Sequence, residues 1–239
     1  MEIRNIFEKF EENAAYTFAT INGDYPETRI AHFLMYDDNG LYFQTMKVKP
    51  FYKQLKKTSK VSVCSLVSEQ GAVSHDEDGL PDFAPGYFIK LSGDCKEIEI
   101  DELVSKAQKD KRFLPLVKDI QRYPTMTTFV VHSFSGEVFD YDFEKKKRDH
   151  KIYRERFAFG GAEIIPSGFF IEDSCVGCGL CKNICSFNAI VAGKKYFIDG
   201  NKCDECGMCY VICPKNSICA KNNLSEKEKE YIKSQIEIN

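Results

Sequence analysis

Residues 175–185 read Cys175-Val176-Gly177-Cys178-Gly179-Leu180-Cys181-Lys182-Asn183-Ile184-Cys185, a C-x2-C-x2-C-x3-C run. The same spacing returns 28 positions further on as Cys203, Cys206, Cys209 and Cys213. Pro214 follows the second run, whereas Ser186 follows the first. The likeness extends past the cysteines. Ile171-Glu172-Asp173 precedes the first run and Ile198-Asp199 the second, while Asn188-Ala189-Ile190 and Asn216-Ser217-Ile218 follow them. Each half reads strand, cysteine loop, short helix, strand. Neither half is long enough to bury a core alone, so the two are expected to pack about a pseudo-twofold axis.

The spacing has a chemical reason. A 4Fe–4S cube offers one open position per iron. Three thiolates two residues apart wrap one face of the cube in a single loop, and the fourth comes from the other run. The expected sets are Cys175, Cys178, Cys181 and Cys213 for one cluster, and Cys203, Cys206, Cys209 and Cys185 for the other. Structural zinc takes paired C-x2-C units with a longer gap between the pairs. Disulfide frameworks belong to small secreted domains. Two triplets with two outlying cysteines suit neither. Residues 167–221 resemble the two-cluster bacterial-type ferredoxin domain.

That domain leaves most of the 239 residues to a second core. The chain is 43% hydrophobic and 29% charged with a net charge of −3, which gives no bias toward nucleic acid. Eight of its eleven cysteines are needed as thiolates, so a reducing, cytoplasmic compartment is expected. Met1–Phe10 has Ile3, Ile6, Phe7 and Phe10 at helical spacing between charges and lacks a signal peptide's apolar core. No stretch reaches the length of a membrane span.

Residues 1–143 read mostly as antiparallel strands. An amphipathic helix from Ile3 to about Asn13 precedes strands at 16–21, 28–36 and 41–45, with turns at Asn22-Gly23-Asp24 and Asp37–Gly40. Pro50 opens a helix, and Val61–Val67 is a fourth strand. Residues 68–86 read as a long loop and a candidate lid. Strands at 87–91 and 94–100 are split by Ser92-Gly93, Asp101 caps a helix, and 127–134 with 137–143 read as a hairpin around Ser135-Gly136. The expectation is a barrel of around six strands. Residues 144–166, with Lys145–Arg148 in series, read as a basic linker; within it, the alternation of Arg154, Arg156, Phe157 and Phe159 is a candidate seat for the neighbouring domain. Residues 222–239 read as a surface helix opened by the Ser225–Glu228 capping box.

Pro26-Glu27-Thr28-Arg29-Ile30-Ala31-His32-Phe33, then Leu41–Thr45, then Lys47–Leu55 resemble the pyridoxamine 5′-phosphate oxidase-like, FMN-binding split-barrel superfamily. The resemblance covers about residues 1–143. It implies FMN at a homodimer interface. Position by position, Arg29 and Lys53 match basic residues that hold the flavin phosphate, Thr45 matches a strand-end hydroxyl, and Lys47 and Lys49 lie in the matching loop. Charge-assisted bonds of this kind suit a phosphate dianion. Lys56 and Lys57 read as solvated. The oxidase's C-terminal substrate-binding segment has no match, so pyridoxine phosphate oxidation is not implied.

His32 and His132 read as barrel residues, Cys64 and Cys95 as small core residues, and Cys219 as no ligand. His75 and Tyr87 read as residues that face a substrate or flavin, or else fill space. The combined reading is an iron–sulfur flavoprotein. It passes electrons from a soluble donor protein through two clusters to FMN and on to a small organic substrate. A non-enzymatic carrier serving a partner protein, and a barrel holding haem or a deazaflavin, remain as alternatives.

Overall fold

The computed structural model describes residues 1–12, 16–68, 73–75, 77–79, 81–83, 86–141, 152–165, 168–220 and 224–236. The chain divides into two compact units. Met1–Val73, Ala84–Phe139 and Glu155–Ile165 form the first, and Ser74–Phe83, Asp140–Arg154 and Pro166–Asn239 the second.

The first unit begins with α1 (Ile3–Glu11), whose Ile6, Phe7 and Phe10 are buried. Four strands follow, β1 (Tyr16–Asn22), β2 (Tyr25–Ala31), β3 (Met35–Asp37) and β4 (Gly40–Met46). Helix α2 (Pro50–Thr58) and β5 (Lys60–Ser68) come next; the short β6 (Val73–His75) and β7 (Pro81–Phe83), which pair with each other, follow in sequence but fall, Val73 apart, in the stretch grouped with the second unit. Residues 69–72, 76, 80, 84 and 85 of the expected lid lie outside the described residues. Then come β8 (Gly86–Ile98), α3 (Ile100–Lys109), α4 (Leu114–Arg122), β9 (Met126–Tyr141) and β10 (Ile152–Phe159).

The large sheet runs β2-β1-β5-β8-β9-β4-β3, with β10 on β9, eight strands against the six expected. Its resolved pairings are antiparallel. The sheet is rolled, as one contact shows. β1 and β4 are four strand spacings apart in the order, which would be about 19 Å in a flat sheet. Yet Phe18 on β1 and Phe43 on β4 have ring centroids 5.0 Å apart. The rolled face encloses an aromatic core of Phe10, Phe18, Phe33, Phe43, Phe51 and Phe129. Helix α2 plugs this core through Phe51 and Leu55.

Two expected breaks are not breaks. β8 runs unbroken through Ser92-Gly93, and β9 runs unbroken through Ser135-Gly136. A Cβ on Gly93 would stand 2.2 Å from the Ser133 carbonyl oxygen, and one on Gly136 would stand 2.1 Å from that of Lys90. These glycines permit close approach where β8 crosses β9, a use of strand glycine that looks like a turn signal in sequence. The segment expected as a linker holds β10; Phe157 there is buried and Phe159 stacks on Phe134 at 5.2 Å. Residues 144–151, with the lysine series, lie outside the described residues.

Helix α4 was not expected. With α3 it covers the other face of β4 and β9, burying Tyr42 and Val130 against Leu103, Phe113, Leu116 and Val117. Phe113, Leu116, Val117 and Ile120 hold the helical spacing that marks it.

The second unit bears out the strand–loop–helix–strand reading twice. β11 (Phe169–Ile171), α5 (Leu180–Ile184) and β12 (Ile190–Val191) form the first half, and β13 (Phe197–Ile198), α6 (Met208–Ile212) and β14 (Ile218–Ala220) the second. β11 pairs with β14 through Ile171 opposite Ile218, and β12 with β13 through Ile190 opposite Ile198. Exchanging the halves maps one pairing onto the other, which is the pseudo-twofold. Helix α7 (Glu226–Ile236) opens with the expected box, Ser225 Oγ and backbone N–H both engaging Glu228. It is more than an appendage, because Ile232 packs on the unit's core and the Lys229 ammonium lies 4.5 Å from the Tyr210 ring centroid. Among the described residues no helix is long and apolar enough to cross a membrane.

Candidate functional site

None of the eleven cysteines is in a disulfide. The two loops that present the ligands are built alike. Gly179 and Gly207 take φ of +84° and +81° at the starts of α5 and α6, a conformation that costs an L-residue about 1–2 kcal/mol. Asn188 and Asn216 repeat a positive φ after the fourth cysteines. The Ala189 N–H points to Cys185 Sγ at 3.4 Å, and the Ser217 N–H to Cys213 Sγ at 3.3 Å. Glu205 N–H points to Cys203 Sγ at 3.3 Å. Hydrogen bonds to sulfur are among the groups that set a cluster's potential.

Cysteines of the two runs influence one another across the repeat. Burial pushes the Cys181 thiol up, and charge on nearby Cys175, Cys178 and Cys213 pushes it further. Burial raises Cys209 to about 12, with Cys203, Cys206, Cys185 and Cys181 adding to it. Cys175, Cys178, Cys181 and Cys213 also line one pocket with Tyr196, Lys215 and Ile218. Thiols crowded in this way resist ionisation until a cation relieves their repulsion, and metal binding supplies that relief by releasing their protons. Among the described residues no three side chains converge closely enough for a single metal ion. A zinc thiolate site would place its sulfurs within about 4 Å of one another. A cube takes each sulfur on a different iron, so the donor set fits two 4Fe–4S clusters.

In the first unit α2 separates the five expected flavin contacts. On one side, Arg29 Nη1 donates to Thr20 Oγ1 at 2.6 Å, and Nη2 to Gln54 Oε1 at 2.8 Å and Glu27 Oε2 at 3.4 Å. Its guanidinium lies 4.4 Å from the Phe51 ring centroid. Burial lowers its pKa, which Glu27 partly offsets.

On the other side stands Glu97. Thr127 Oγ1 donates to it at 2.7 Å, and Tyr52 OH and Lys56 Nζ each at 3.1 Å, with Lys47 Nζ at 3.4 Å. Burial pushes the Glu97 carboxyl up, but bonds from Thr127, Lys56 and Tyr52 and the charge of Lys47 leave it below the usual value. Thr45 is buried and pairs directly opposite Thr127. Lys49 and Lys53 are exposed, at the start of α2 and in its first turns. Lys49 holds the N-cap position without a side-chain cap.

Sequence reading missed Glu97, although it falls on the inward parity of β8 after Leu91 and Cys95. Lys56 is exposed, as expected, and from there its ammonium reaches Glu97. Tyr87 donates to Glu12 at 2.5 Å, beside α1. Cys64 is exposed where a core residue was expected, and Cys95 is buried, its thiol pushed up to about 12. His32 packs edge-on against Tyr16. A cleft of about 560 Å³ opens beside Thr20, Ile21, Pro26, Lys60, Ser62, Ser92 and Ser133.

Residues 169–191 and 200–216 match two family models, each described as a 4Fe–4S binding domain. No curated protein matches the chain. Among solved structures, the chain is similar to a NimC/NimA family protein from Clostridium acetobutylicum, at 16% identity, TM-score 0.46, covering 66% of this chain and 93% of that one. It is similar to HutZ, the heme storage protein from Vibrio cholerae, at 18% identity, TM-score 0.40, over 55% and 90%. It is also similar to a putative pyridoxamine 5′-phosphate oxidase from Listeria innocua, at 17% identity, TM-score 0.35, over 53% and 88%. The chain thus carries a C-terminal 4Fe–4S binding segment of the repeated ferredoxin type behind a mainly-β N-terminal unit.

Proposed function

We propose that the chain is an iron–sulfur flavoprotein oxidoreductase. In this reading electrons from a soluble donor protein pass through two 4Fe–4S clusters to FMN and on to a small organic substrate. What supports it is the match of residues 169–191 and 200–216 to 4Fe–4S binding domains, with two C-x2-C-x2-C-x3-C runs in one unit. Such clusters exchange single electrons, and a flavin takes them singly and releases two together.

The chain's own residues supply positioning. The uncapped start of α2 suits a phosphate, since its backbone N–H groups and helix dipole favour an anion. Lys49 and Lys53 stand there in water, able to turn toward a ligand. Arg29 is held by Thr20, Gln54 and Glu27, so its part is to orient α2 and add charge, unless a phosphate displaces Glu27. Thr45 and Lys47 sit by Glu97 on the far side of the helix.

A second copy of the chain belongs to this reading. Ile21, Ile30 and Leu66 are each more than half exposed and share one face of β1, β2 and β5. Such an apolar face marks a contact surface. Sedimentation at micromolar concentration is expected to give a dimer.

Anaerobic titration of flavin-free protein with FMN tests the site. Saturable binding of one FMN per chain, weakened about tenfold by Lys49→Ala or Lys53→Ala, is expected for a lost exposed charge contact of about 1.4 kcal/mol. No binding would sink the flavin reading and leave a carrier protein.

A further inference from the structure

We propose that an acidic one-electron carrier protein docks over the cluster of Cys175, Cys178, Cys181 and Cys213, on exposed Val176 and Leu180 with Lys182, Lys194 and Lys215 around them. The inference rests on the proposed function, which draws electrons from a soluble protein; it says where that donor sits and what charge it carries. The first ligand loop is itself surface. Val176, Gly177 and Cys178 are all exposed, Val176 to 62%, and Leu180 is 44% exposed. Val176 and Lys215 line the same pocket as the four cysteines. Tyr196 lies against the loop, since a Cβ on Gly177 would stand 3.7 Å from its ring and one on Gly179 3.7 Å from its hydroxyl. Lys194 and Lys195 immediately precede Tyr196, Lys182 follows Cys181, and all three are exposed, as is Lys215.

The charge of this face is positive. Residues 169–196 hold two acids, Glu172 and Asp173, against Lys182, Lys194 and Lys195, and Lys215 adds to the lysines. Asp173 pairs with Lys195, which leaves the other three lysines in excess over Glu172. The ligand loop does not need these cations, because the repeat omits them. At the 28-residue offset Lys182 corresponds to the buried Tyr210 and Lys215 to Phe187. The lysines therefore mark one side of the pseudo-twofold only. A cube bound by four thiolates is a net anion and would repel an acidic partner; the lysines reverse that locally. A small apolar centre inside a charged rim is the anatomy of a brief electron-transfer encounter, in which the rim charges steer approach. A second copy of the chain suits this face poorly, since a two-fold contact would set lysine against lysine. Transfer balances simply: the carrier is oxidised by one electron, the cluster is reduced by one, and no bond changes.

The test uses the full chain with its clusters, prepared anaerobically, and an oxidised acidic plant-type ferredoxin as the probe, so that binding is read without turnover. Saturable binding is expected at low salt, and it should weaken at least about tenfold between about 0.01 M and 0.1 M salt, as the Debye length falls from about 30 to about 10 Å. Combined Lys182→Gln, Lys194→Gln and Lys215→Gln should weaken binding about tenfold at low salt. Combined Lys109→Gln, Lys111→Gln and Lys118→Gln removes the same charge from exposed positions of the first unit and should leave affinity within about twofold. Carbodiimide, which joins lysine to carboxylate, should link the ferredoxin through Lys182, Lys194 or Lys215.

No binding, binding indifferent to salt, equal losses in the two triple variants, or cross-links confined to other lysines would overturn the proposal. Phosphatidylserine vesicles that bind where the ferredoxin does not would make the face a membrane contact and overturn it too. Wild-type protein with fewer than about eight irons would count against the two-cluster reading instead.

Discussion

The rolled sheet makes a prediction that a flat one does not. Phe18 and Phe43 lie on strands four places apart, yet their rings meet at 5.0 Å and an interplanar angle of 54°. Both are fully buried. Aromatic pairs in such contact are worth about 0.5–1.5 kcal/mol beyond their buried area. A double-mutant cycle with Phe18→Leu and Phe43→Leu keeps apolar volume at both sites while removing the ring contact. Each single change is expected to cost about 1–3 kcal/mol, because Phe43 also meets Phe51 at 5.8 Å and Phe129 at 5.7 Å. The coupling term should be about 1 kcal/mol. The assay is urea unfolding of the full chain under argon, followed by far-UV circular dichroism because the chain has no tryptophan. The transition of the first unit is the one fitted. Sites more than about 10 Å apart couple by less than about 0.5 kcal/mol. Additive single mutants would refute the rolled arrangement.

Removal of the Glu97 carboxylate strands the buried Thr127 hydroxyl and the Tyr52 hydroxyl, so Glu97→Ala should cost about 2–4 kcal/mol by urea unfolding. The depressed Glu97 carboxyl contributes stability that is complete above its unfolded value of 4.5 and is lost as pH falls through its lower folded value. Glu97→Ala should therefore be less destabilising at pH 3 than at pH 6, and an equal cost at both would contradict the ion-pair account. Gly207→Ala puts a side chain at φ +81°, for about 1–2 kcal/mol of strain in the second ligand loop, and should speed loss of visible absorbance under a chelator. Cys185→Ala removes a ligand from the cluster of Cys203, Cys206 and Cys209 while leaving the set Cys175, Cys178, Cys181 and Cys213 intact. About four irons should remain, with the loss traced to the Cys203–Cys209 loop.

The ferredoxin-type unit was legible because its chemistry is local. Ligand spacing, the glycines at 179 and 207 and the asparagines at 188 and 216 all lie within a few residues of the cysteines they serve. The sheet was harder. Ser92-Gly93 and Ser135-Gly136 read as turns, since a glycine needed for close approach by a distant strand is indistinguishable in sequence from one that bends the chain. β10 was hidden in a charged stretch, where only the parity of Phe157 and Phe159 marked it. The polar hub at Glu97 depends on side chains from β8, β9, α2 and the loop at Lys47, which tertiary packing alone brings together. Its sign in sequence was one acid on a strand's buried parity. Helix α4 was legible in principle from Phe113, Leu116, Val117 and Ile120, but Pro115 and Pro124 disguised its ends.

Iron, acid-labile sulfide and flavin, counted per chain in anaerobically purified protein, test the central claim most directly. The account predicts about eight irons, about eight sulfides and one FMN. One tightly bound zinc per motif, or iron without sulfide, would contradict it.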